Sequence, residues 1–411
     1  MPFSDILQGL TLDFASSEEL LSAFDNVGYL AAGYLVTGLV HRYYVRYKAG
    51  PTLPLPPQAP PKGTHGQLAP ADKLPYLFYQ DYSKKLNSDI IHVPIGRDTL
   101  ILLNSLDAAT SVLEKRSSLY YNRTHDSDQD ITIHDSKRWN GCVRGMLLPQ
   151  LLCSPGETIS VVKRFGEGMM TTGPVGSTTL EALENGDLRT PSDLGSCCVG
   201  GDTVVAVIKT FFQAISLLPQ VQNRAHAEIN GVCGKNRLPM FADRHNLPYV
   251  TAIVKEVLRW QPPSPISSPY IAKKADEYNG YRIPAGGTVI ANIWAILHDE
   301  IDYPDPSSFK PERFIHPDGR LNKTARDPAS VVFGFGRSSC PGKDAISSTL
   351  WTTIASVLAV FYVERNTAGD GRDFTPETAY LADSDKSLLV RTRVRSVELA
   401  ALIRNEQQSL P

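Results

Sequence analysis

The stretch FGFGRSSCPGK, residues 333–343, decides the fold because it sets one cysteine in a loop of glycines. Gly336 and Gly342 flank Cys340, and glycine has no side chain and permits unusual backbone angles, so a flat ligand can approach the sulfur closely. A helix that begins near Gly342 would direct free N–H groups and the positive end of its dipole at this sulfur. Both effects favour the thiolate, the form in which cysteine binds a metal. Taken alone, the stretch also fits a buried structural cysteine at a loop–helix junction.

Two segments upstream carry charges at spacings that suggest ion pairs. KEVLR, residues 255–259, places Glu256 and Arg259 three residues apart, and such residues share one face of a helix. FKPERF, residues 309–314, contributes Arg313. The pair at 256 and 259 is equally typical of an ordinary surface salt bridge when it is considered alone.

A fourth segment, VGGDTV at residues 199–204, combines weak helix formers with an acid and an alcohol. Gly200 and Gly201 each cost about 1 kcal/mol relative to alanine inside a helix. Such a weak point suits a helix that must open to admit small molecules, and Asp202 and Thr203 could then pass protons. The alternative is that these two residues simply begin a helix as its N-cap.

Taken together, and in the order in which they occur along the chain, the four segments resemble the cytochrome P450 family. The ligand loop of that family runs F-x-x-G-x-[R/H]-x-C-x-G. Phe333, Gly336, Cys340 and Gly342 match that loop. The resemblance implies a mainly α fold with a small β portion, in which Cys340 is the axial ligand of the iron of haem (iron protoporphyrin IX). It also implies that Phe333, Gly336 and Gly342 contact the cofactor and that Trp139 contacts a haem propionate.

The same resemblance implies an activity, which is the oxidation of a hydrophobic small molecule (a secondary metabolite or a xenobiotic) by a monooxygenase that uses O₂. Electrons would come from NADPH through NADPH-cytochrome P450 reductase. Asp202 and Thr203 would relay protons to the bound oxygen. Glu256, Arg259 and Arg313 would form a buried structural network that holds the proximal side of the haem pocket.

The organisation of the chain can be predicted from its N-terminal part. Residues 27–40 carry no charge, and with the apolar residues before them they predict a membrane anchor over 20–41. The basic residues that follow place the downstream chain on the cytoplasmic side. Prolines predict a stiff hinge over 49–63, followed by a haem-binding catalytic domain over 64–411. The resemblance to microsomal members of the family implies that this anchor lies in the endoplasmic reticulum membrane. The alternative is that the apolar stretch forms an amphipathic or buried helix instead of an anchor.

Bulk properties exclude several other classes of protein. A net charge of −2 over 411 residues gives no reason to expect a nucleic-acid partner. Six cysteines are too few for a disulfide scaffold of this length, and none of them form the paired C-x-x-C spacing of a zinc or redox site.

Some features depart from the family pattern. The stretch 145–199 is less than half the usual length, so part of the distal helical roof over the substrate pocket is expected to be missing. Ser338 and Tyr270 stand where residues that bind a haem propionate are common, and Arg144 lies one residue farther from Trp139 than usual. These departures leave two alternatives open, namely a degenerate or truncated non-catalytic member and a haem-binding module without oxygen chemistry.

Hydrophobic periodicity predicts the main elements. Two strands are predicted within 90–103, and extended chain is predicted over 262–284. The predicted helices are 197–217, 219–233, 248–260 and 342–362.

Overall fold

The computed structural model describes residues 53–59, 74–95, 98–122, 191–234, 237–340, 342–365 and 390–408. The elements below belong to one compact unit, Leu55–Pro411. The predicted anchor, Trp139, Arg144 and the shortened stretch up to residue 190 lie outside the described residues, so these predictions stay as they are.

Helices make up most of the described structure. In chain order the α-helices are α1 Pro75–Leu86, α2 Leu106–Ala109, α3 Pro191–Leu217, α4 Pro219–Cys233, α5 Pro248–Trp260, α6 Ile293–Leu297, α7 Ala329–Val332, α8 Lys343–Val360 and α9 Val397–Gln408. Helix α2 continues as a π-helix, Thr110–Glu114, and 3₁₀ turns cover Phe241–Asn246, Pro311–Phe314 and Gly336–Ser338. The prediction of a mainly α fold with a small β portion is confirmed.

The predicted bounds of two helices were accurate. Helices α4 and α5 are confirmed at 219–233 and 248–260, and each carries proline in its first turn, where no N–H partner is needed. Helix α3 begins earlier than predicted, at Pro191, so residues 202 and 203 lie inside the helix and the N-cap alternative is wrong. The predicted end of α8 at 362 is also wrong, because the chain enters a strand at Phe361.

The strands form one five-stranded sheet and two two-stranded sheets. They are β1 Ile90–Ile95, β2 Asp98–Leu103, β3 Tyr120–Asn122, β4 Tyr270–Ala272, β5 Asp276–Tyr278, β6 Tyr281–Ile283, β7 Thr288–Ala291, β8 Phe361–Arg365 and β9 Val390–Val394. The sheet has the order β1-β2-β7-β4-β3, with only β2 and β7 parallel, while β5 pairs with β6 and β8 with β9. The strands predicted within 90–103 and the extended chain over 262–284 are confirmed.

The end of the proline-rich segment lies along the edge of this sheet. Gln58 forms a parallel bridge with His92 of β1, and the Ala59 N–H donates to the His92 carbonyl over 2.9 Å. In return, the His92 N–H donates to Pro57, and its ring Nδ1–H donates to the Pro56 carbonyl over 2.5 Å. Residues 55–59 are called the edge segment below. They are bonded to β1 and so cover part of a strand edge that would otherwise be exposed.

Two hydrophobic cores meet at the cysteine loop. Helices α3, α4, α5 and α8 enclose one of them, which contains Phe211 and Trp351. The sheet encloses the other, which contains Tyr270 and Phe335. Because Val332 packs against both cores, the loop that leads to Cys340 is held between a helical and a sheet layer.

No single helix in the described ranges combines the length and the apolar composition needed to cross a membrane. Thr203–Leu217 and α4 have that length and composition only when taken together, and the angle of the bend between them is 105°.

Two histidines are buried in positions that disfavour their charged form. The ring of His226, on α4, meets the Tyr362 ring edge-on at 5.0 Å, and burial assisted by the charge of Arg395 lowers its pKa to about 4. The ring of His298 stacks on Trp294 at 3.8 Å, and burial assisted by the charge of Arg259 lowers its pKa to about 3. Both rings are therefore neutral in the folded chain at neutral pH.

We expect the free energy of unfolding to fall as the pH drops below about 6.5, the ordinary histidine pKa. Below that value the unfolded chain binds more protons than the fold, and each of the two histidines then costs about 1.4 kcal/mol per pH unit down to its folded pKa. Urea unfolding near pH 7.5 and 5.5 measures the loss. Replacing His226 with Phe should reduce the slope, and an unchanged slope would contradict this account. Burial raises the pKa of Glu228, so that carboxyl acts in the opposite sense.

Candidate functional site

The cysteine loop is closed by its own backbone. The Cys340 N–H donates to the Phe333 carbonyl over 2.7 Å, and the Ser339 N–H donates to Gly336 over 3.2 Å. Gly334 and Gly336 have φ values of +82° and +58°, which glycine adopts without strain. The predicted glycine-relieved bend before a helix is therefore present, with α8 beginning at Lys343 immediately after it.

Gly336 is also the point where the loop packs against the π-helix. A Cβ at this position would lie 2.6 Å from the Leu113 carbonyl oxygen and 2.7 Å from the Ser117 Cβ. Backbone cannot yield as a flexible side-chain tip can, so only glycine allows this close approach. The loop is thus positioned by packing between the two segments as well as by its own hydrogen bonds.

Replacing Gly336 with Ala should destabilise the fold by about 2–4 kcal/mol, because strain at positive φ adds to the steric overlap. Gly231 provides a matched control: it lies inside α4 with nothing within 4 Å of an added Cβ. Alanine there should stabilise the helix by about 0.5–1 kcal/mol. Urea unfolding of both variants checks the prediction, and equal effects at the two positions would contradict it.

Two opposing effects set the pKa of the Cys340 thiol. Burial raises the pKa of the Cys340 thiol, and the opposing hydrogen bond from the Gly342 backbone is the smaller effect. The Gly342 N–H thus acts in the predicted direction, toward the thiolate, but burial has the larger effect on the pKa of Cys340. A buried sulfur loses the stabilisation that water gives its charge, and one N–H does not replace it.

The donor set at Cys340 nevertheless fits one kind of cofactor. Within the described residues no three His, Cys, Asp or Glu side chains come together to hold a metal ion. Structural zinc needs four protein ligands, whereas haem brings its own nitrogens and needs one axial residue. Cys340 is a free, partly exposed cysteine, and a Cβ added at Gly342 would lie 3.8 Å from its sulfur. A single sulfur beside a glycine therefore suits a flat macrocycle.

Glu256, Arg259 and Arg313 lie in direct contact. The Arg259 Nε and a terminal nitrogen each reach a different Glu256 oxygen over 2.8 Å, and Arg313 Nε lies 3.1 Å from Oε2. The side chains of Glu256 and Arg259 are fully buried, and that of Arg313 is 10% exposed. One carboxylate is therefore shared by two guanidinium groups in a dry environment.

Backbone carbonyls complete this network, and the sequence analysis missed them. Arg259 also donates to the carbonyls of Leu297 and Ser308, and the Lys310 N–H donates to Glu256 over 2.8 Å. Arg313 donates to the Pro304 carbonyl over 2.9 Å. Buried ions are tolerated only when such additional hydrogen bonds satisfy them. The proline-rich YPDPSSF segment, residues 303–309, was the available signal, because prolines disfavour a helix and so leave backbone carbonyls of the segment without helical partners.

Tyr270 reaches the cysteine loop from the sheet. Its side chain is 3% exposed on β4, and the Phe335 N–H donates to its hydroxyl over 3.4 Å. Ser338 is half-buried, and Arg337 beside it is exposed. Sequence comparison marked Tyr270 only as a departure, whereas the structure shows that it contacts the loop.

The remaining predicted site residues are placed as follows. Phe333 is buried in the cysteine loop, and Gly342 immediately precedes α8. Asp202 and Thr203 lie within α3, where the Thr203 side chain is partly buried. The structure thus joins Phe333, Gly336, Cys340 and Gly342 in one loop, while the roles predicted for them and for the α3 pair stay predictions.

Comparison with known proteins finds matches in the central and C-terminal parts of the chain. Residues 197–389 match the model of the cytochrome P450 family. Cytochrome P450 monooxygenase 98 of Postia placenta is 43% identical over 208 residues, which cover 49% of this chain and 40% of that protein. Cytochrome P450 monooxygenase claR of Ampulloclitocybe clavipes is 40% identical over 50% of this chain and 38% of its own length. Tryptamine 4-monooxygenase of Psilocybe cyanescens is 41% identical over 42% of this chain and 34% of its own. The matches span less than half the length of these curated relatives.

Proposed function

Since residues 197–389 belong to the cytochrome P450 family, we propose that the chain is a haem-thiolate monooxygenase. The observation that carries this proposal is the closed glycine loop around the Cys340 sulfur, which in the described part of the chain belongs to no cluster of three or more metal-binding side chains. When bound, haem supplies the activation of O₂, which no amino-acid side chain can perform.

The residues of this chain would hold and serve that cofactor. Cys340 would give its sulfur to the iron, and Gly342 would leave room beside it. The network around Glu256 would fix the segment 304–310 against α5, because its two arginines bind carbonyls from that segment. We further propose that Asp202 and Thr203 in α3 pass protons toward the site where oxygen is reduced.

The substrate, the electron donor and the location are part of the same proposal. The curated relatives include a monooxygenase named for tryptamine and others from fungi. We propose a hydrophobic small molecule, a secondary metabolite or a xenobiotic, as the substrate of this chain. NADPH-cytochrome P450 reductase would be the partner, with residues 20–41 anchored in the endoplasmic reticulum membrane and the domain on the cytoplasmic side.

A spectrum of the reduced, CO-treated protein tests the proposal. We expect the purified full chain to bind about one haem per chain and to show the red-shifted absorption band of thiolate-ligated haem. The proposal of an enzyme would be overturned if the chain is folded, as shown by helical circular dichroism, but takes up no haem. That result would instead support a non-catalytic family member.

The same preparation tests the proton relay. Thr203→Ala should keep the spectrum, lower product formation by about a hundredfold, and release the reduced oxygen as peroxide. Thr210→Ala is the control, because that hydroxyl on α3 bonds Gln261 over 3.1 Å instead. If Thr203→Ala behaves as the parent does, the chain binds haem without relaying protons through this residue.

A further inference from the structure

Residues 110–117 support the cysteine loop and are called the supporting segment below. The segment begins as the π-helix, whose wide turn is closed by the Lys115 N–H donating to the Thr110 carbonyl over 2.9 Å. Such turns are rare and are often found at functional sites. The Leu113 carbonyl oxygen lies 2.6 Å from the point that a Cβ on Gly336 would occupy. The position of the loop therefore depends on the position of the supporting segment.

Arg116 fixes the end of the supporting segment through hydrogen bonds in two directions. Its Nε donates to the Ser111 carbonyl over 2.9 Å, so the side chain folds back on the π-helix. A terminal nitrogen donates to the Asp276 carboxylate over 2.6 Å and also to the Glu277 carbonyl. Because a guanidinium group is planar and its donors have fixed directions, these bonds set the orientation of the segment as well as its position.

Asp276, the acceptor of Arg116, is itself held in place. It belongs to β5, which pairs with β6, and its second oxygen accepts from the Tyr120 hydroxyl over 2.7 Å. The Asp276 side chain is 11% exposed and that of Arg116 is 30% exposed. Salt screens a partly buried pair less than an exposed one. The guanidinium thus joins the supporting segment to a fixed point on a separate strand.

The residue after Arg116 is in contact with the loop. The Ser117 Cβ lies 2.7 Å from the point that a Cβ on Gly336 would occupy, and the Ser117 N–H donates to the Glu114 carbonyl over 3.2 Å. Close-packed contacts of this kind transmit a displacement from one segment to the next. Movement of Arg116 would therefore reach the loop through its immediate neighbour.

We infer that Arg116 is a positioning residue for the loop that carries the iron ligand: its bonds to Ser111 and Asp276 hold the supporting segment against Gly336 and so fix the Cys340 sulfur. The consequence for haem rests on the proposed function, whereas the positioning of the sulfur does not. Without these bonds the loop would open locally more often while the rest of the fold stays closed.

The test is the rate at which iodoacetamide alkylates Cys340 at one fixed pH, resolved by peptide mass spectrometry of the full chain. Arg116→Gln keeps a polar side chain but loses the charged fork, so Cys340 should react about tenfold faster. Cys233, buried at the end of α4, reports opening of the whole fold and should keep its rate. In the haem-loaded chain, the thiolate band with CO should decay about tenfold faster.

Two further variants show whether the ion pair is responsible. Asp276→Asn should accelerate Cys340 as Arg116→Gln does, and the double variant should be no faster than either, because all three remove the same contact. Arg393→Gln is the control, since Arg393 pairs with Glu364 over 3.0 Å in the separate β8–β9 sheet. That variant should leave the Cys340 rate within about twofold of the parent.

The outcomes separate this inference from the proposed function. A parent chain that binds no haem overturns the proposed function, while alkylation of the haem-free chain still tests Arg116. Equal Cys340 rates in the parent and Arg116→Gln overturn the inference, and so does equal acceleration of Cys233 or equal acceleration by Arg393→Gln. If Arg116→Gln does not fold, Arg116→Lys keeps the charge but has one nitrogen in place of the fork. Faster alkylation of Cys340 alone then supports the inference, and an unchanged rate overturns it.

Discussion

Glu256→Gln should lower the free energy of unfolding by about 3–5 kcal/mol and prevent stable haem binding. The substitution keeps the shape of the side chain but removes the only carboxylate that the described structure places between Arg259 and Arg313. Breaking a buried pair in this way leaves uncompensated charge in a dry environment. A domain is stable by only about 5–15 kcal/mol, so the loss would consume a large part of the total.

Urea unfolding of the purified chain, with haem content measured in parallel, checks this expectation. Glu364→Gln is the control, since Glu364 also pairs with an arginine, Arg393, over 3.0 Å but both side chains are about half exposed. That variant should lose no more than about 1 kcal/mol. If the two variants lose equal free energy of unfolding, burial does not increase the contribution of the Glu256 network to stability.

Cys340→Ala should abolish the thiolate-haem band and all product formation, because no other sulfur in the described residues lies in the loop. The fold itself should survive: Cys340 is partly exposed and makes no disulfide, so its removal leaves no large cavity. The measurement is the reduced CO spectrum together with thermal unfolding. Loss of the band with an unchanged unfolding temperature would separate ligand loss from misfolding.

Cys233→Ala is the corresponding control for cysteine chemistry. Cys233 is buried at the end of α4 with its sulfur 3.9 Å from Asp243, outside the cysteine loop. This variant should keep the spectrum and lose about 1 kcal/mol of stability. If Cys340→Ala kept the thiolate band, the assignment of the iron ligand would be wrong.

The sequence was informative where the signal is local. Helices α4 and α5 begin at prolines and carry periodic apolar residues, so both their bounds and their type followed from short windows. The three charged residues of the Glu256 network could be predicted from the resemblance of their segments to the cytochrome P450 family, whereas the helical spacing of Glu256 and Arg259 alone is equally typical of a surface salt bridge. Likewise, the glycines around Cys340 revealed the bend before α8.

What could not be predicted depends on residues far apart in the chain. Phe335 meets Tyr270 across 65 positions, and no pattern near either residue signals that hydrogen bond. The raised pKa of Cys340 has the same origin, since burial comes from the whole fold while the local glycine and helix argument considered only nearby dipoles. The end of α8 was misjudged because pairing between β8 and β9 draws Phe361 out of the helix.

The edge segment has a mechanical consequence for whatever precedes it. It runs parallel to β1 at a single bridge, so tension applied to the chain before Leu55 loads the two backbone hydrogen bonds at His92 together in shear. Hydrogen bonds that are loaded at the same time share the force, whereas hydrogen bonds that open one after another each bear the whole force in turn. A pulling force from the N-terminal side would therefore act on the five-stranded sheet before it acts on the loop that carries Cys340.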